Sequence, residues 1–471
     1  MLYSQRMGDF LIIHILAQKE GNDMWRSFAH GVHVDGNKAL AENEVIREIL
    51  PGKIMAYPLA QHIGRPASPL VSEGDRVLVG QTIAVASAAV SADVISAVSG
   101  TVKRVGAFLG VRGEMIDAIV VENDEQYETI EGFGQKRDYT QLSPAEIREI
   151  IKEAGIVGLG GAGFPTHIKL NPKNPEEIDT IIANGVECEP YLTTDYRLMI
   201  EQPEKIIRGL HIILSMFPNA KAVIAIEKNK PEAIRLLSEK VADEPRISVA
   251  ALKTKYPEGD ERMLIHAVTG RDINSGQLPA AAGCLVDNIA TVVAIEEAVC
   301  DGLPLTHRVV TVSGDAVKHP CNLRVACGDL YSHVVEEAGG FIGEPKKVIS
   351  GGPMMGLALF SLEIPVVKTS SCILAFSEDE VEQSKTTACI HCGRCLRACP
   401  ELLVPRSLHA AAQAEDFERF MALNGMECIE CGSCTYVCPA KIPLTQSFQY
   451  ARKKTKALLQ VKSIKESGGE K

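Results

Sequence analysis

Two cysteine runs constrain this chain more than any other feature. They read CIHCGRCLRACP, Cys389 to Pro400, and CIECGSCTYVCP, Cys428 to Pro439. Each has the spacing C-x2-C-x2-C-x3-C-P. A tight loop of three cysteines can wrap three corners of an iron–sulfur cubane, and the fourth thiolate must arrive from elsewhere in the fold. Where two such runs share a chain, the fourth cysteine of each serves the other run's cluster. The expected sets are Cys389, Cys392, Cys395 with Cys438, and Cys428, Cys431, Cys434 with Cys399, giving two [4Fe–4S] clusters. Gly393 and Gly432 let the loop backbone approach the sulfides. Paired C-x2-C motifs can also bind structural zinc. The duplicated four-cysteine run, each followed by proline, is far more specific than a zinc knuckle. Clusters held on every corner offer no open ligand position, so a one-electron relay is the expected role.

Length and charge bound the rest. A chain of 471 residues is too long for one core, and three or four domains are expected. The apolar run Phe10 to Ala17 is too short to span a bilayer, and no basic flank with a small-residue cleavage site accompanies it. No signal peptide or spanning segment is expected, so the chain reads as soluble or peripheral. The net charge of −11 argues against a general nucleic-acid binder. The last 31 residues carry eight Lys/Arg and two Glu, which reads as a solvated terminal helix or a contact for an acidic partner or lipid. Cys188, Cys284, Cys300, Cys321, Cys327 and Cys372 show no ligand spacing and read as buried or incidental thiols.

The expected fold is multidomain, mixing α/β and α+β. Residues 1–40 form an irregular lead-in. Residues 41–123 alternate short apolar strands with glycine turns and resemble a barrel-sandwich hybrid, the fold of lipoyl and biotinyl carriers. The turn that would hold a modified lysine, Ser87 to Asp93, contains none. Residues 140–303 open with SPAEIREIIKEAG. Ser143 and Glu146 form a capping box, Pro144 suits the first turn, Ile147, Ile150 and Ile151 supply the apolar face, and Gly155 ends the helix. Alternating strand-like and helical runs then predict a largely parallel α/β sheet. Residues 304–375 read as a small α+β module, residues 384–450 as the cluster domain with a helical hairpin between its halves, and residues 451–471 as the basic tail.

The segment GLGGAGFPTHIKL, Gly158 to Leu170, contains G-x-G-x-x-G at Gly158, Gly160 and Gly163. A dinucleotide fingerprint must follow a strand and open a helix. Here the glycines follow a helix, and Pro165, Pro172 and Pro175 come after. The alternative is a loop whose backbone N–H groups face a phosphate, with Lys169 as a nearby charge. The loop is similar to the flavin loop of the FMN- and NADH-binding subunit of respiratory complex I. NGVECEP (Asn184 to Pro190), YPEGDE (Tyr256 to Glu261) and DNIAT (Asp287 to Thr291) resemble that family's further segments, in the same order. The resemblance implies that Gly158, Gly160, Gly161, Gly163 and Phe164 form a loop between flavin and nicotinamide. Lys169, Asn184, Tyr256, Gly259, Asn288 and Thr291 would hold non-covalent FMN. Glu187, Glu189, Asp260 and Glu261 would line the NADH cavity, with Asp287 in the adjoining wall. Val186 replaces the family's Asp, and Asp287 and Ala290 replace its Asn and Glu. Cys188 sits inside one of these segments.

The order of parts, from PLAQHIGRPASPLVSEGD through the flavin segments to VSGDAV, GGPMMG and the cysteine runs, resembles RnfC, a component of the Rnf ion-translocating ferredoxin:NAD oxidoreductase complex, over about Ser27 to Gln449. That resemblance implies a β-grasp (SLBB) module over 304–375 and electron exchange between NAD(H), FMN and the clusters. It also implies other Rnf subunits as partners, ferredoxin as an indirect one, and a peripheral place on the cytoplasmic face of the membrane. HGVHVDGNKAL departs from the family's usual start. Two rival readings stand beside it: the related cobalamin reductase of propanediol microcompartments, and a relay protein that has lost nucleotide binding.

Overall fold

The computed structural model describes residues 26–468, with side chains to residue 461. The earlier part of the lead-in and the last residues of the tail lie outside the described residues. At the centre is a four-stranded, wholly parallel sheet, ordered Ile247–Leu252, Lys221–Glu227, Thr180–Gly185, Cys284–Asn288. Side chains alternate across a strand, and the strand Thr180–Gly185 uses this to feed two cores. Ile181 and Ala183 face the helices Pro203–Met216 and Ile289–Val299, while Ile182 packs with Leu264 and Ile265 of the helix Glu261–Thr269. Both faces are covered, as parallel sheets require. Asn184, Glu227, Leu252 and Asn288 therefore lie at the carboxyl ends of their strands, where ligands of open α/β sheets bind.

Ser143 caps the helix Pro144–Glu153 with a complete capping box, and Ile147 and Ile151 are buried beneath it. The barrel-like unit pairs Ile54–Pro58, Met115–Asn123, Gly100–Leu109 and Arg76–Val77 in one sheet, with Ser68–Pro69, Thr82–Val85 and Val94–Ile95 in a second. A fourth sheet has six strands in the order Ile46–Glu48, Cys321–Ala326, His307–Ser313, Cys372–Phe376, Lys347–Ser350, Leu357–Leu359. Its first strand comes from before the barrel-like unit and pairs in parallel with Cys321–Ala326. The segment 41–123 thus contributes strands to three sheets.

The last unit is helical. Pro405–Gln413 and Phe417–Ala422 form the hairpin between the two cysteine runs, and both pack on the long terminal helix Leu444–Gly468. Among the described residues, no helix is long and apolar enough to cross a membrane.

Buried polar groups tie these units together. Lys368 is 1 % exposed and donates its ammonium to the carbonyls of Asp93 and Gly155, joining barrel, flavin-type domain and α+β module. Burial lowers its pKa to about 8. In the α+β module, buried Asp329 lies 2.9 Å from His333 Nδ1, and this hydrogen-bonded carboxylate raises the imidazole pKa. The stabilisation is fully present below the unfolded histidine value of about 6.5 and is lost as pH rises through the higher folded value. Melting of the wild type against His333→Gln over this range should therefore show the wild-type advantage shrinking with pH. A pH-independent difference would contradict the pairing.

Candidate flavin and iron–sulfur site

The glycine loop connects the capped helix Pro144–Glu153 to the short helix Thr166–Lys169, a context unlike a strand–turn–helix fingerprint. Three contacts fix it. Gly158 N–H donates to the Phe164 carbonyl at 2.8 Å, Leu159 N–H donates to Thr291 Oγ1 at 2.9 Å, and buried Arg308 donates to the Leu159 carbonyl at 3.1 Å. Gly163 has φ 72, a backbone region that glycine occupies at no steric cost. Gly160 lies directly against Asn288, where an added Cβ would stand 2.8 Å from the Asn288 Cβ. A Cβ on Gly161 would meet nothing within 4 Å. The loop thus presents bare main chain to open space on one side and is clamped on the other.

The structure brings the other sequence-predicted residues to the same end of the parallel sheet. Lys169 donates to the Val286 carbonyl at 2.6 Å and lies 3.4 Å from Asp287 Oδ1. Asp287 is 1 % exposed, and neither carboxylate oxygen has a hydrogen bond among the described residues. Asn184 donates to the Gly259 carbonyl at 2.9 Å and accepts from Val186 N–H at 3.2 Å. Asn288 caps the helix Ile289–Val299 through Ala290 N–H. Ala290 is itself buried, so its small side chain fits the first turn of a helix packed into the core.

The acidic residues separate into different tasks. Glu187 Oε1 accepts from Asp195 N–H at 2.7 Å, while its other oxygen is buried without a hydrogen bond among the described residues, 3.7 Å from Lys38. Glu189 reaches across to the α+β module and accepts from Met354 and Met355 N–H, both at 3.0 Å. Burial raises its pKa to about 7. Asp260 caps the helix Glu261–Thr269, so its carboxylate is engaged in helix initiation. Burial raises the pKa of Glu261, with Lys169 opposing.

Sequence reading missed Lys38 and Asp195. The Lys38 ammonium donates to the carbonyls of Glu187, Glu189 and Leu192 at 3.0, 3.0 and 2.6 Å. It staples a loop in which Glu187 and Tyr191 adopt φ 49 and φ 68. An isolated lysine in an irregular lead-in carries no periodic signal that could have marked it. Asp195 accepts from Asn288 Nδ2 at 2.6 Å, and burial with the nearby Glu187 carboxylate raises its pKa to about 7. It follows NGVECEP closely in the chain, but nothing in TTDY marks it.

The cysteines fall into two sets in space. One cavity is lined by Cys399, Cys428, Cys431 and Cys434, the other by Cys389, Cys392, Cys395 and Cys438. Each set takes three cysteines from one run and one from the other. Burial pushes the Cys428 and Cys434 thiols up to about 12. Four thiolates can share such a cavity only with compensating positive charge, which a cluster's iron supplies. The first cavity adjoins the flavin-type domain. Tyr256 is 1 % exposed and its hydroxyl donates to the Cys431 carbonyl at 2.7 Å, while Arg262 bridges Glu401 and Glu427, each at 2.9 Å. The second cavity lies outward, with Cys389 and Cys392 exposed.

Cys188 packs beside Gly259, and burial holds its thiol protonated. Cys284, Cys327 and Cys372 are buried, and Cys300 and Cys321 are half-buried.

Comparison with known proteins agrees with this geometry. The RnfC barrel sandwich hybrid domain matches residues 26–126, the Nuo51 FMN-binding domain 151–297, the SLBB domain 309–358 and the 4Fe-4S dicluster domain 388–442. Glycine main chain, a neighbouring ammonium and buried Asp287 oxygens that take no hydrogen bond among the described residues fit a flavin mononucleotide, and each cysteine set fits a cubane. The chain is a flavin and iron–sulfur electron-transfer protein. The C component of the proton-translocating ferredoxin:NAD(+) oxidoreductase complex of Clostridium ljungdahlii is 44 % identical over 396 residues, covering 84 % of this chain and 86 % of the relative. Its counterpart in the Na(+)-translocating complex of Acetobacterium woodii is 40 % identical, covering 85 % and 90 %. The C component of the ion-translocating oxidoreductase complex of Rhodobacter capsulatus is 40 % identical, covering 91 % and 83 %. The chain belongs to the RnfC family, a component of the Rnf ion-translocating ferredoxin:NAD oxidoreductase complex. The crystal structure of the air-oxidized NAD+-reducing [NiFe]-hydrogenase overlaps 61 % of the chain and 55 % of its own, with TM-score 0.48 and 22 % identity.

Proposed function

We propose that this protein exchanges hydride with NAD at FMN and passes single electrons through its two clusters to the other subunits of an ion-translocating complex, at the cytoplasmic face of the membrane. The observation that carries the reading is the Tyr256–Cys431 hydrogen bond, which joins the flavin-type wall to the cysteines of the inner cavity. Bound FMN supplies the one property the clusters lack, the ability to trade electron pairs on one side and single electrons on the other.

The protein's own groups bind, orient and exclude water. The glycine loop gives a nicotinamide ring and a flavin ring close access to main chain. Lys169 supplies positive charge for the phosphate, with Thr291 fixing the loop and Asn184 and Asn288 setting the walls. Glu187 and Glu261 face the nucleotide side. Glu189 and Asp260 act behind them, Glu189 by latching the α+β module and Asp260 by starting a helix. The set Cys399, Cys428, Cys431, Cys434 would hold the cluster on the flavin-type domain's side, and the set Cys389, Cys392, Cys395, Cys438 would hold the outer one. Since hydride moves with its electron pair, no side chain need act as general acid or base in that step.

Lys169→Ala tests the flavin half. The variant should purify with its iron intact and most of its flavin gone, and added FMN should bind at least tenfold more weakly, a loss of about 1.4 kcal/mol. Flavin content and affinity equal to the wild type would refute the assigned role.

A further inference from the structure

Residues 27–37 form no helix or strand beyond one bridged position, Val32, yet they touch three separate parts of the molecule. The first is the flavin-type domain. Val32 and Tyr256 exchange both backbone hydrogen bonds, each at 2.9 Å. Ser27 Oγ donates to Glu258 at 2.8 Å, and the Lys255 ammonium lies 3.9 Å from the centre of the Phe28 ring. The second is the cysteine domain, where His30 Nδ1 donates to the Arg397 carbonyl at 2.8 Å, between Cys395 and Cys399. The third is the loop of Glu187. Tyr191 N–H donates to the Gly36 carbonyl at 2.7 Å, next to the carbonyls that Lys38 holds. In the middle of the stretch, Val32 is 6 % exposed and packs in one apolar cluster with Tyr256, Ala398 and Cys431. Gly31 makes that approach possible. Its φ is 76, and an added Cβ would stand 2.7 Å from the Tyr256 carbonyl oxygen, so both the backbone angle and the space call for glycine.

We propose that residues 27–38 are a clasp that seats the flavin-type domain on the inner cysteine loop, with Gly31 and Val32 as the positioning residues that keep water out of that joint. The inference rests on the relay reading above and says what keeps its inner joint closed. The Tyr256 hydroxyl reaches the Cys431 carbonyl, and the Tyr256 main chain is paired with Val32. The contact between flavin-type wall and cysteine loop therefore depends on the lead-in. The apolar shell around a metal site controls solvent access, and solvent access helps to set a cluster's reduction potential. A reduced cluster carries one more negative charge than an oxidised one, and water stabilises that extra charge. Opening the clasp should hence raise the potential of the inner cluster. The clasp itself takes no part in the chemistry, since no bond forms or breaks in it. A simple tether would also fasten residues 27–38 to the surface. A tether gains nothing, however, from burying a valine in the same apolar cluster as the ligand Cys431.

The test uses full-length, cluster-loaded protein under anaerobic conditions and compares the wild type with Gly31→Ala and Val32→Ser. Two readouts are followed: amide hydrogen exchange, and a redox titration monitored by electron paramagnetic resonance. In Gly31→Ala the amides of Val32 and Tyr256 should exchange about tenfold faster or more. In both variants the potential of the inner cluster should rise while that of the outer cluster stays where it was, because the outer set already has Cys389 and Cys392 exposed. NADH should still bleach the flavin. Should Gly31→Ala load its clusters poorly, Val32→Ser keeps the backbone pair and carries the potential measurement alone. Val45→Ser, at a lead-in position that is 63 % exposed, should change neither readout. Wild-type exchange together with a wild-type inner potential would overturn the proposal. So would faster exchange with no shift in potential, the result a simple tether gives, or an equal shift of both clusters. Failure of NADH to bleach the wild-type flavin would instead refute the relay reading, which keeps the two failures apart.

Discussion

Cys438→Ser should lower the iron content from about eight atoms per chain to about four, by removing the outer cluster and leaving the inner one intact. The expectation follows from the crossed arrangement, in which Cys438 lines the cavity of Cys389, Cys392 and Cys395 although it lies in the other run. Two double variants sharpen the test. Adding Cys389→Ser to Cys438→Ser should cost no further iron, because both act on one cluster. Adding Cys428→Ser should remove the rest. An uncrossed arrangement reverses these outcomes, since Cys438 and Cys428 would then share a cluster. With the outer cluster gone, NADH should still bleach the flavin, and the path onward to a partner should be lost.

Lys38→Met should cost about 3 to 5 kcal/mol of stability, the range for breaking a buried charge pair by removing one partner. Lys38 is 11 % and Glu187 2 % exposed at their side chains, so solvent screens little of the loss. Three carbonyls would lose their donor and a buried carboxylate its nearby positive charge together. Burial lowers the Lys38 pKa, with the Glu187 carboxylate opposing. Differential scanning calorimetry and an NADH titration check both consequences: a lower melting temperature and weaker nucleotide binding, because the stapled loop carries Glu187. A wild-type melting temperature in the variant would show that the ammonium is not holding the loop.

What the sequence made legible has a physical pattern. The cysteine runs were readable because cluster chemistry fixes both residue type and spacing, so local sequence alone carries the information. The capped helix at Ser143 and the alternation leading to a parallel sheet were readable for the same reason, since caps and periodicity are local. Long-range contacts were not. Lys38 lies about 150 positions from the carbonyls it serves, the Glu189 carboxylate accepts from Met354 and Met355 of a different module, and Asp260 also caps a helix. Tyr256 was expected to hold FMN, and its hydroxyl reaches the inner cysteine loop. The strand Ile46–Glu48 escaped because its partner, Cys321–Ala326, lies on the other side of two domains in sequence. Each of these depends on which surfaces meet after folding, and a single chain without tertiary information does not encode that in any short window.

The central claim is that one polypeptide holds a flavin mononucleotide and two cubanes closely enough for electrons to pass between them. An anaerobic preparation analysed for iron, sulfide and flavin, then titrated with NADH while absorbance and electron paramagnetic resonance are followed, tests it most directly. We predict about eight iron, eight acid-labile sulfides and one FMN per chain. Added NADH should then bleach the flavin and raise the signal of reduced clusters in the same titration. Zinc in place of iron, or fully loaded clusters that stay oxidised when NADH is added with FMN present, would contradict it.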